Sequence, residues 1–124
     1  MKVRIIILDD NDIDLFISEK VVNRFNHQIE VKSFTNQKNF LEYVQLSQFE
    51  EQLRQVFLID LKLVGETGLD VADYLYSQTS IRKDIYFLSS TIDQRDLEAV
   101  RRHPLVVDLL TKPLQAHHLS RILS

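Results

Sequence analysis

Short apolar runs and amphipathic segments alternate along the whole chain. A short run of branched and aromatic residues bounded by polar positions predicts a strand that is buried on both faces. A segment whose apolar residues recur every three or four positions predicts a helix with one buried face. By these criteria the sequence predicts five strands, at residues 3–8, 29–34, 56–60, 85–88 and 106–110.

A helix is predicted after each strand, at residues 11–26, 35–44, 67–77, 91–102 and 114–123. Asn11 and Thr35 are the predicted caps of the first two helices, and Thr67 and Thr91 each open a capping box. The five strand–helix units predict the α/β class, with a central parallel sheet covered by helices on both faces. The alternating pattern of residues 29–34 favours an edge position for that strand.

Two parts of the pattern carry predictions about packing. The first helix is expected to bury a row of apolar residues spaced by four, namely Ile13, Ile17, Val21 and Phe25. Leu15 leans away from this row and is interpreted as a lone surface residue or, alternatively, as a contact for a partner. In residues 47–55, the helical spacing of Phe49 and Leu53 predicts a short extra helix or an extension of the preceding one.

Composition bounds the class of protein. The 124 residues are 44% hydrophobic and 27% charged, which predicts one compact domain over residues 1–124. A net charge of -3 and the lack of a basic recognition helix argue against direct nucleic-acid binding. The chain has no cysteine, which excludes disulfides and thiolate metal sites and favours the cytoplasm. The first apolar run is too short for a signal peptide or for insertion in a membrane.

Polar residues stand at the carboxyl ends of four predicted strands, and these residues are Asp9, Asp10, Asp60, Ser89 and Lys112. Asp60 directly follows four apolar residues, where a carboxylate contributes nothing to a core. Because the carboxyl ends of parallel strands share one edge of a sheet, these side chains are expected to converge there. Asp60 is therefore predicted to be the chemical centre of the protein.

Carboxylates that crowd together repel one another, and a divalent cation makes such a cluster favourable. Only oxygen ligands are available, and a few carboxylates with water suit magnesium (Mg2+). Lys112 supplies a point charge suited to phosphate, and Ser89 supplies a hydroxyl. A carboxylate such as Asp60 can act as a nucleophile and form an aspartyl phosphate. The residues together predict a site for phosphoryl transfer.

The chain resembles the receiver domain of two-component response regulators over essentially all of its length. The residues that carry the resemblance are Asp9-Asp10, Asp60, Gly68, Ser89 and Lys112-Pro113. The resemblance implies a flavodoxin-like (βα)5 three-layer sandwich with strand order 2-1-3-4-5. It also implies that Asp60 accepts a phosphoryl group from a phosphohistidine on a sensor histidine kinase or a histidine phosphotransfer protein.

The resemblance implies roles for the other residues of the site. Asp10, Asp60 and the backbone carbonyl of Lys62 would hold Mg2+, with Asp9 acting mainly through water. Ser89 and Lys112 would bind the phosphoryl oxygens. The protein would catalyse only its own phosphorylation and dephosphorylation, and would not otherwise be an enzyme.

The resemblance also implies how the signal is read. Ser89 would move toward the phosphoryl group and reshape the surface formed by the fourth helix, fifth strand and fifth helix. That surface would bind a downstream protein and is a candidate for homodimer formation. Several positions depart from the usual pattern of the family, and two of them bear on the signal. Val64 stands where a proline is usual, and Leu109 occupies the switch position on strand five, where an aromatic residue is usual.

Two other functions compete with the phosphorylatable receiver. A pseudo-receiver would bind partners without being phosphorylated, and Val64 and Leu109 leave that alternative open. A phosphatase of the haloacid dehalogenase type would use an Asp-x-Asp motif, which residues 10–12 offer. Such an enzyme places its nucleophile after the first strand and needs a larger chain with a cap. It would leave Asp60 and Lys112-Pro113 unexplained.

Overall fold

The computed structural model describes residues 2–47, 50, 52–77 and 84–124. Within these residues, strands and helices alternate along the chain. The strands are β1 (Lys2–Leu8), β2 (Glu30–Phe34), β3 (Leu53–Asp60), β4 (Asp84–Ser89) and β5 (Val106–Thr111). The helices are α1 (Asp12–Phe25), α2 (Gln37–Leu46), α3 (Gly68–Tyr76), α4 (Gln94–Arg102) and α5 (Ala116–Leu123). No helix among the described residues is long and apolar enough to cross a membrane.

The strands form one sheet in the order β2-β1-β3-β4-β5, and every neighbouring pair is parallel. This arrangement confirms the predicted α/β fold, its flavodoxin-like strand order and the edge position of β2. The central strands read as continuous apolar runs because both of their faces are covered. The residues of β3 from Val56 to Asp60, for example, are all buried.

Two apolar cores lie against the sheet, one on each face, and give the molecule three layers. Successive residues of a strand point to opposite faces, so Ile5 and Ile7 enter one core while Ile6 and Leu8 enter the other. The core around Ile6 contains residues of α2, α3 and α4, among them Phe40, Val44, Val71, Ala72, Leu75 and Val100. The core around Ile5 contains residues of α1 and α5, among them Leu15, Val22, Leu119 and Ile122.

The orientation of α1 differs from the prediction. Leu15, Ser18 and Val22 face the core, while Ile13 is 70% exposed and Phe25 is also exposed. The prediction of a buried row containing Ile13 was therefore wrong, as was the interpretation of Leu15 as a surface residue. Apolar residues lie on more than one side of this helix, so periodicity alone does not select the buried side. Ser18 lies between Leu15 and Val22 on this buried face.

The predicted extra helix in residues 47–55 is wrong for the part that the structure describes. Leu53, Arg54 and Gln55 already belong to β3 and pair with β1 residues 2–4. Arg54 is held further by an ion pair to Asp84 Oδ2 at 2.8 Å and by donating a hydrogen bond to the carbonyl of Ile122. These contacts hold residues 53–55 in an extended backbone, whereas the helix was predicted only from the spacing of Phe49 and Leu53. Phe49 lies outside the described residues.

Helix starts agree with the prediction only in part. The capping box of α3 is confirmed, because Thr67 and Asp70 each accept a hydrogen bond from the other's backbone N–H. The predicted box at Thr91 is wrong, because Asp93 caps α4 through the N–H of Asp96. An aspartate is as good a cap as a threonine, and only the path of the chain decides between them. Asn36, and not Thr35, caps α2. Helix α5 begins after Gln115, whereas the sequence predicted its start at residue 114.

Candidate functional site

The sheet register brings the predicted site residues to one edge. Leu8, the last residue of β1, pairs with Ile59, so that Asp9 and Asp10 leave the sheet beside Asp60. On the other side, Asp60 pairs with Leu88, which directly precedes Ser89. Ser89 in turn pairs with Thr111, which directly precedes Lys112. Residues far apart in the sequence thus meet at the carboxyl ends of four strands.

Three carboxylates form a compact cluster at this edge. Asp9, Asp10 and Asp60 each place one carboxylate oxygen within 4.8 Å of those of the other two. Asp9 is only 1% exposed and Asp60 is 7% exposed, whereas Asp10 is partly open to solvent. Such burial of like charges is unfavourable unless cations or hydrogen bonds compensate for it.

Backbone N–H groups fix the orientation of each carboxylate. Asp9 Oδ1 accepts a hydrogen bond from the N–H of Asn11 at 2.9 Å, and Asn11 is also the cap of α1. Asp60 Oδ1 accepts from the N–H of Lys62 at 3.1 Å. Asp10 Oδ2 accepts from the N–H of Val64 at 2.7 Å, although the Val64 side chain itself is exposed. The loops after β1 and β3 therefore hold the acidic cluster in place.

Lys112 lies at the centre of the cluster. Its Nζ is 2.9 Å from Asp9 Oδ2, 2.9 Å from Asp14 Oδ2 and 3.2 Å from Asp60 Oδ2. Burial alone would lower the pKa of Lys112, but its contacts with Asp9 and Asp14 and the nearby charge of Asp60 raise the pKa above its ordinary value. Lys112 is therefore a permanent cation at neutral pH.

Burial raises the pKa of Asp60 above its ordinary value. The N–H of Lys62 and the ammonium of Lys112 oppose this increase in the pKa, and the nearby Asp9 reinforces it. The charged form of Asp60 is thus held in a site that does not solvate it fully. A group of this kind, placed at the edge of a parallel sheet, is a candidate for a functional role.

The cluster fits a divalent cation. Asp9 Oδ2 is buried and receives no well-directed hydrogen bond within the part of the chain that the structure describes, although Lys112 Nζ is near it. One ammonium does not balance the charges of three clustered carboxylates and Asp14. All of the donor atoms are oxygens, which are the ligands that Mg2+ prefers. A bound cation would satisfy both the charge and the unpaired oxygen of Asp9.

Ser89 lies at the same edge of the sheet, but its hydroxyl forms a hydrogen bond away from the acidic cluster. Ser89 is buried, and its Oγ donates a hydrogen bond to the backbone carbonyl of Thr91 at 2.5 Å. The side chain of Thr91 accepts a hydrogen bond from Lys62 Nζ at 2.9 Å. Leu109, the predicted switch residue, lies in the core that contains α3 and α4, and its side chain is buried there.

Gly68 fits tightly against the site. A Cβ atom at this position would lie 2.7 Å from the backbone carbonyl oxygen of Asp60 and 2.7 Å from Phe87 Cε1. The N–H of Gly68 also donates to the carbonyl of Leu61 at 2.7 Å. Only glycine allows the start of α3 to pack so closely against the end of β3. Gly65 serves a different purpose, because its φ of 85° lies in the left-handed region.

Asp14 is a site residue that the sequence did not reveal. The sequence gives it the role of a negative charge in the first turn of α1, which it also has. Its contact with Lys112 spans 98 positions of the chain and depends on how α1 is rotated against the sheet. No local pattern carries that information, because the apolar spacing of α1 favours the wrong face.

Comparisons of this structure with solved structures find close likenesses. A two-component response regulator from Cytophaga hutchinsonii matches with a TM-score of 0.87 and 21% identity, over 99% of this chain and 96% of its own. A response regulator receiver protein from Dyadobacter fermentans matches with a TM-score of 0.86 and 27% identity, over 98% of this chain and 94% of its own. A chemotaxis response regulator of Vibrio cholerae matches with a TM-score of 0.78 and 15% identity, over 99% of this chain and 97% of its own.

No family model matches the chain, and no curated protein is similar to it in sequence. The likeness is therefore carried by the structure, and it extends over nearly the whole length of both chains in each of these pairs. It confirms the resemblance that the sequence predicted: the chain has the fold of the receiver domains of response regulators.

Proposed function

We propose that this protein is a phosphorylatable receiver of a two-component or phosphorelay system, and that Asp60 is the phosphoacceptor. The observation that carries the proposal is the meeting of Asp9, Asp10, Asp60 and Lys112 at one edge of the sheet. A buried carboxylate beside a permanent cation and two further acids has the chemistry of phosphoryl transfer and little value for stability. Residues 1–124 would act as one such domain in the cytoplasm.

In the proposed reaction an oxygen of Asp60 attacks the phosphorus atom of a phosphohistidine. The phosphorus–nitrogen bond breaks, the imidazole of the donor leaves, and an acyl phosphate forms on Asp60. The donor is a sensor histidine kinase or a histidine phosphotransfer protein. Lys112 Nζ, 3.2 Å from Asp60 Oδ2, would neutralise charge on the phosphoryl oxygens. Water later hydrolyses the acyl phosphate and releases inorganic phosphate, so that the proposed activity is limited to phosphorylation and dephosphorylation of the protein itself.

The metal of the proposed site is Mg2+. Asp10, Asp60 and the backbone carbonyl of Lys62 would hold it, and Asp9 would act mainly through water. The ion would supply positive charge to the phosphoryl oxygens. The unpaired, buried oxygen of Asp9 supports this assignment.

The proposed signal begins at Ser89. To donate to a phosphoryl oxygen, the Ser89 hydroxyl must leave the carbonyl of Thr91, which would alter the segment between β4 and α4. The surface of α4, β5 and α5 would then bind a downstream protein, and it is also the proposed contact of a homodimer. Leu109 occupies the switch position on β5, where the response would be a shift of a buried aliphatic side chain. No direct contact with nucleic acid is proposed.

The test is incubation with Mg2+ and acetyl phosphate followed by measurement of the intact mass. We expect one labile phosphoryl adduct that is lost in Asp60→Ala and in the presence of a metal chelator. Asp73→Ala is a matched control, because that carboxylate is exposed on α3 and lies outside the acidic cluster; it should keep the adduct.

Two outcomes would contradict the proposal. Absence of an adduct with any small phosphodonor would favour the pseudo-receiver, which binds partners without phosphorylation. An adduct that survives Asp60→Ala but is lost in Asp10→Ala would favour the haloacid dehalogenase type of phosphatase.

A further inference from the structure

Lys112 is shared among three carboxylates that belong to different elements. An ammonium group has three N–H donors and no acceptor. Two of these donors form hydrogen bonds, to Asp14 Oδ2 at 2.9 Å and to Asp60 Oδ2 at 3.2 Å. Asp9 Oδ2 lies 2.9 Å from Nζ, close enough for an ion pair although not aligned as a hydrogen bond. Three carboxylates thus surround the ammonium, and an incoming anion must displace one of them to reach it.

Asp14 is the contact that Lys112 can give up most easily. The side chain of Asp14 is 37% exposed, so water can solvate its carboxylate when the ammonium leaves. Asp9 is almost fully buried, and removing the cation from it would leave a buried charge unpaired. Asp60 is the group that would carry the phosphoryl group, so Lys112 must stay close to it.

We propose that Asp14 is a positioning residue that holds the Lys112 ammonium in competition with the incoming phosphoryl group and thereby slows the phosphorylation of Asp60. This inference rests on the proposed function. To neutralise the phosphoryl oxygens, Lys112 exchanges its hydrogen bond to Asp14 for one to the phosphoryl group. The exchange costs the free energy of a partly exposed ion pair, and the charge of Asp14 also repels an anionic donor.

Asp12 provides a matched control for Asp14. Both residues lie in the first turn of α1, and both contribute a negative charge there. Asp12 is exposed and makes no contact with Lys112 within the described part of the chain. Replacing either residue by asparagine removes one negative charge from the same helix turn, so the two variants differ in the contact with Lys112 and in the nearness of the removed charge to Asp60.

The experiment measures the initial rate of adduct formation with acetyl phosphate at saturating Mg2+. We expect Asp14→Asn to react about two to five times faster than the wild-type protein, as the loss of one partly exposed ion pair implies. Asp12→Asn should change the rate by less than about 1.5-fold, since salt screens the repulsion between this exposed charge and the donor. Asp14→Glu keeps a carboxylate within reach of Lys112 and should react at nearly the wild-type rate.

Two results would overturn this inference. A rate for Asp14→Asn that equals or falls below that of Asp12→Asn overturns the inference, even though a wild-type adduct would leave the proposed function standing. Absence of the wild-type adduct overturns the proposed function and this inference with it. Asp14→Ala serves as the second uncharged variant if Asp14→Asn does not fold, and circular dichroism of every variant checks that a change in rate is not a loss of structure.

Discussion

At the residue scale, the charge of Asp60 lowers the stability of the fold. The residue is buried at the end of β3, and burial raises the pKa of its carboxyl group. The Lys62 N–H and the Lys112 ammonium compensate for only part of this effect, since the pKa remains above its ordinary value. A buried apolar side chain would not destabilise the fold in this way, so we interpret Asp60 as present for its chemistry.

The raised pKa of Asp60 predicts how stability depends on pH. A carboxyl whose pKa is higher in the folded state than in the unfolded state stabilises the fold below the unfolded pKa of about 3.9, and this contribution is lost as the pH rises through the folded pKa. Asp60→Asn removes the titration. In the absence of metal we therefore expect Asp60→Asn to have a larger free energy of unfolding than the wild-type protein at pH 7. The difference should shrink toward pH 3.

Urea denaturation at several pH values measures this difference. Glu42→Gln is the control, because this carboxylate is exposed on α2 and has no ion pair within the described part of the chain. If Asp60→Asn were less stable than the wild-type protein at pH 7, or if the difference did not change with pH, the account of Asp60 as an incompletely solvated charge would be wrong.

Helix α1 shows at the element scale what periodicity leaves undecided. Both faces of the helix carry apolar residues, and the sequence favoured the face with the more regular spacing. The structure buries Leu15 and Val22 instead and exposes Ile13. Two contacts outside the apolar pattern agree with this rotation, namely the Asn11 cap and the ion pair between Asp14 and Lys112.

Substitutions on the two faces of α1 test its orientation. Leu15 is 7% exposed and lies in a core, so Leu15→Ala should reduce the free energy of unfolding by about 2–5 kcal/mol. Ile13→Ala, on the exposed face, should change it by no more than about 0.5 kcal/mol. Both variants place alanine in the same helix, and the helix propensities of leucine and isoleucine differ by only a few tenths of a kcal/mol. If thermal or urea denaturation found Ile13→Ala to be the less stable variant, the buried face of α1 would be the one that the sequence predicted.

The sequence predicted the strands and the places of the helices, but not the rotation of α1 or all of the helix caps. A strand buried on both faces needs a continuous apolar run, and β1, β3 and β4 each have such a run with a polar residue directly after it. The position of Asp60 at a strand end could therefore be found from the sequence alone. Helix rotation and helix caps depend on contacts across the molecule, and this is why Asp14 and the Asp93 cap were missed. The start of β3 was missed because its first residues are not apolar enough to stand out.

At the scale of the whole molecule, the parallel sheet is what assembles the site. Four strands of one sheet, held in register, deliver Asp9, Asp10, Asp60, Ser89 and Lys112 to a single edge. The strand–helix alternation predicted the sheet, and the resemblance to receiver domains predicted its order, which the structure confirms. The cores on both faces fix the strands, and the strands fix where these residues leave the sheet. A rigid edge of this kind would suit the proposed transfer of a phosphoryl group to Asp60.

The central claim is that Asp60 becomes an acyl phosphate, and chemical localisation of the phosphoryl group tests it most directly. Borohydride reduces an acyl phosphate to an alcohol and leaves free carboxylates unchanged. After treatment with acetyl phosphate and Mg2+, peptide mass spectrometry of the reduced protein should find homoserine at position 60, with Asp9 and Asp10 unmodified. Homoserine at position 9 or 10, or at none of the three positions, would contradict the account.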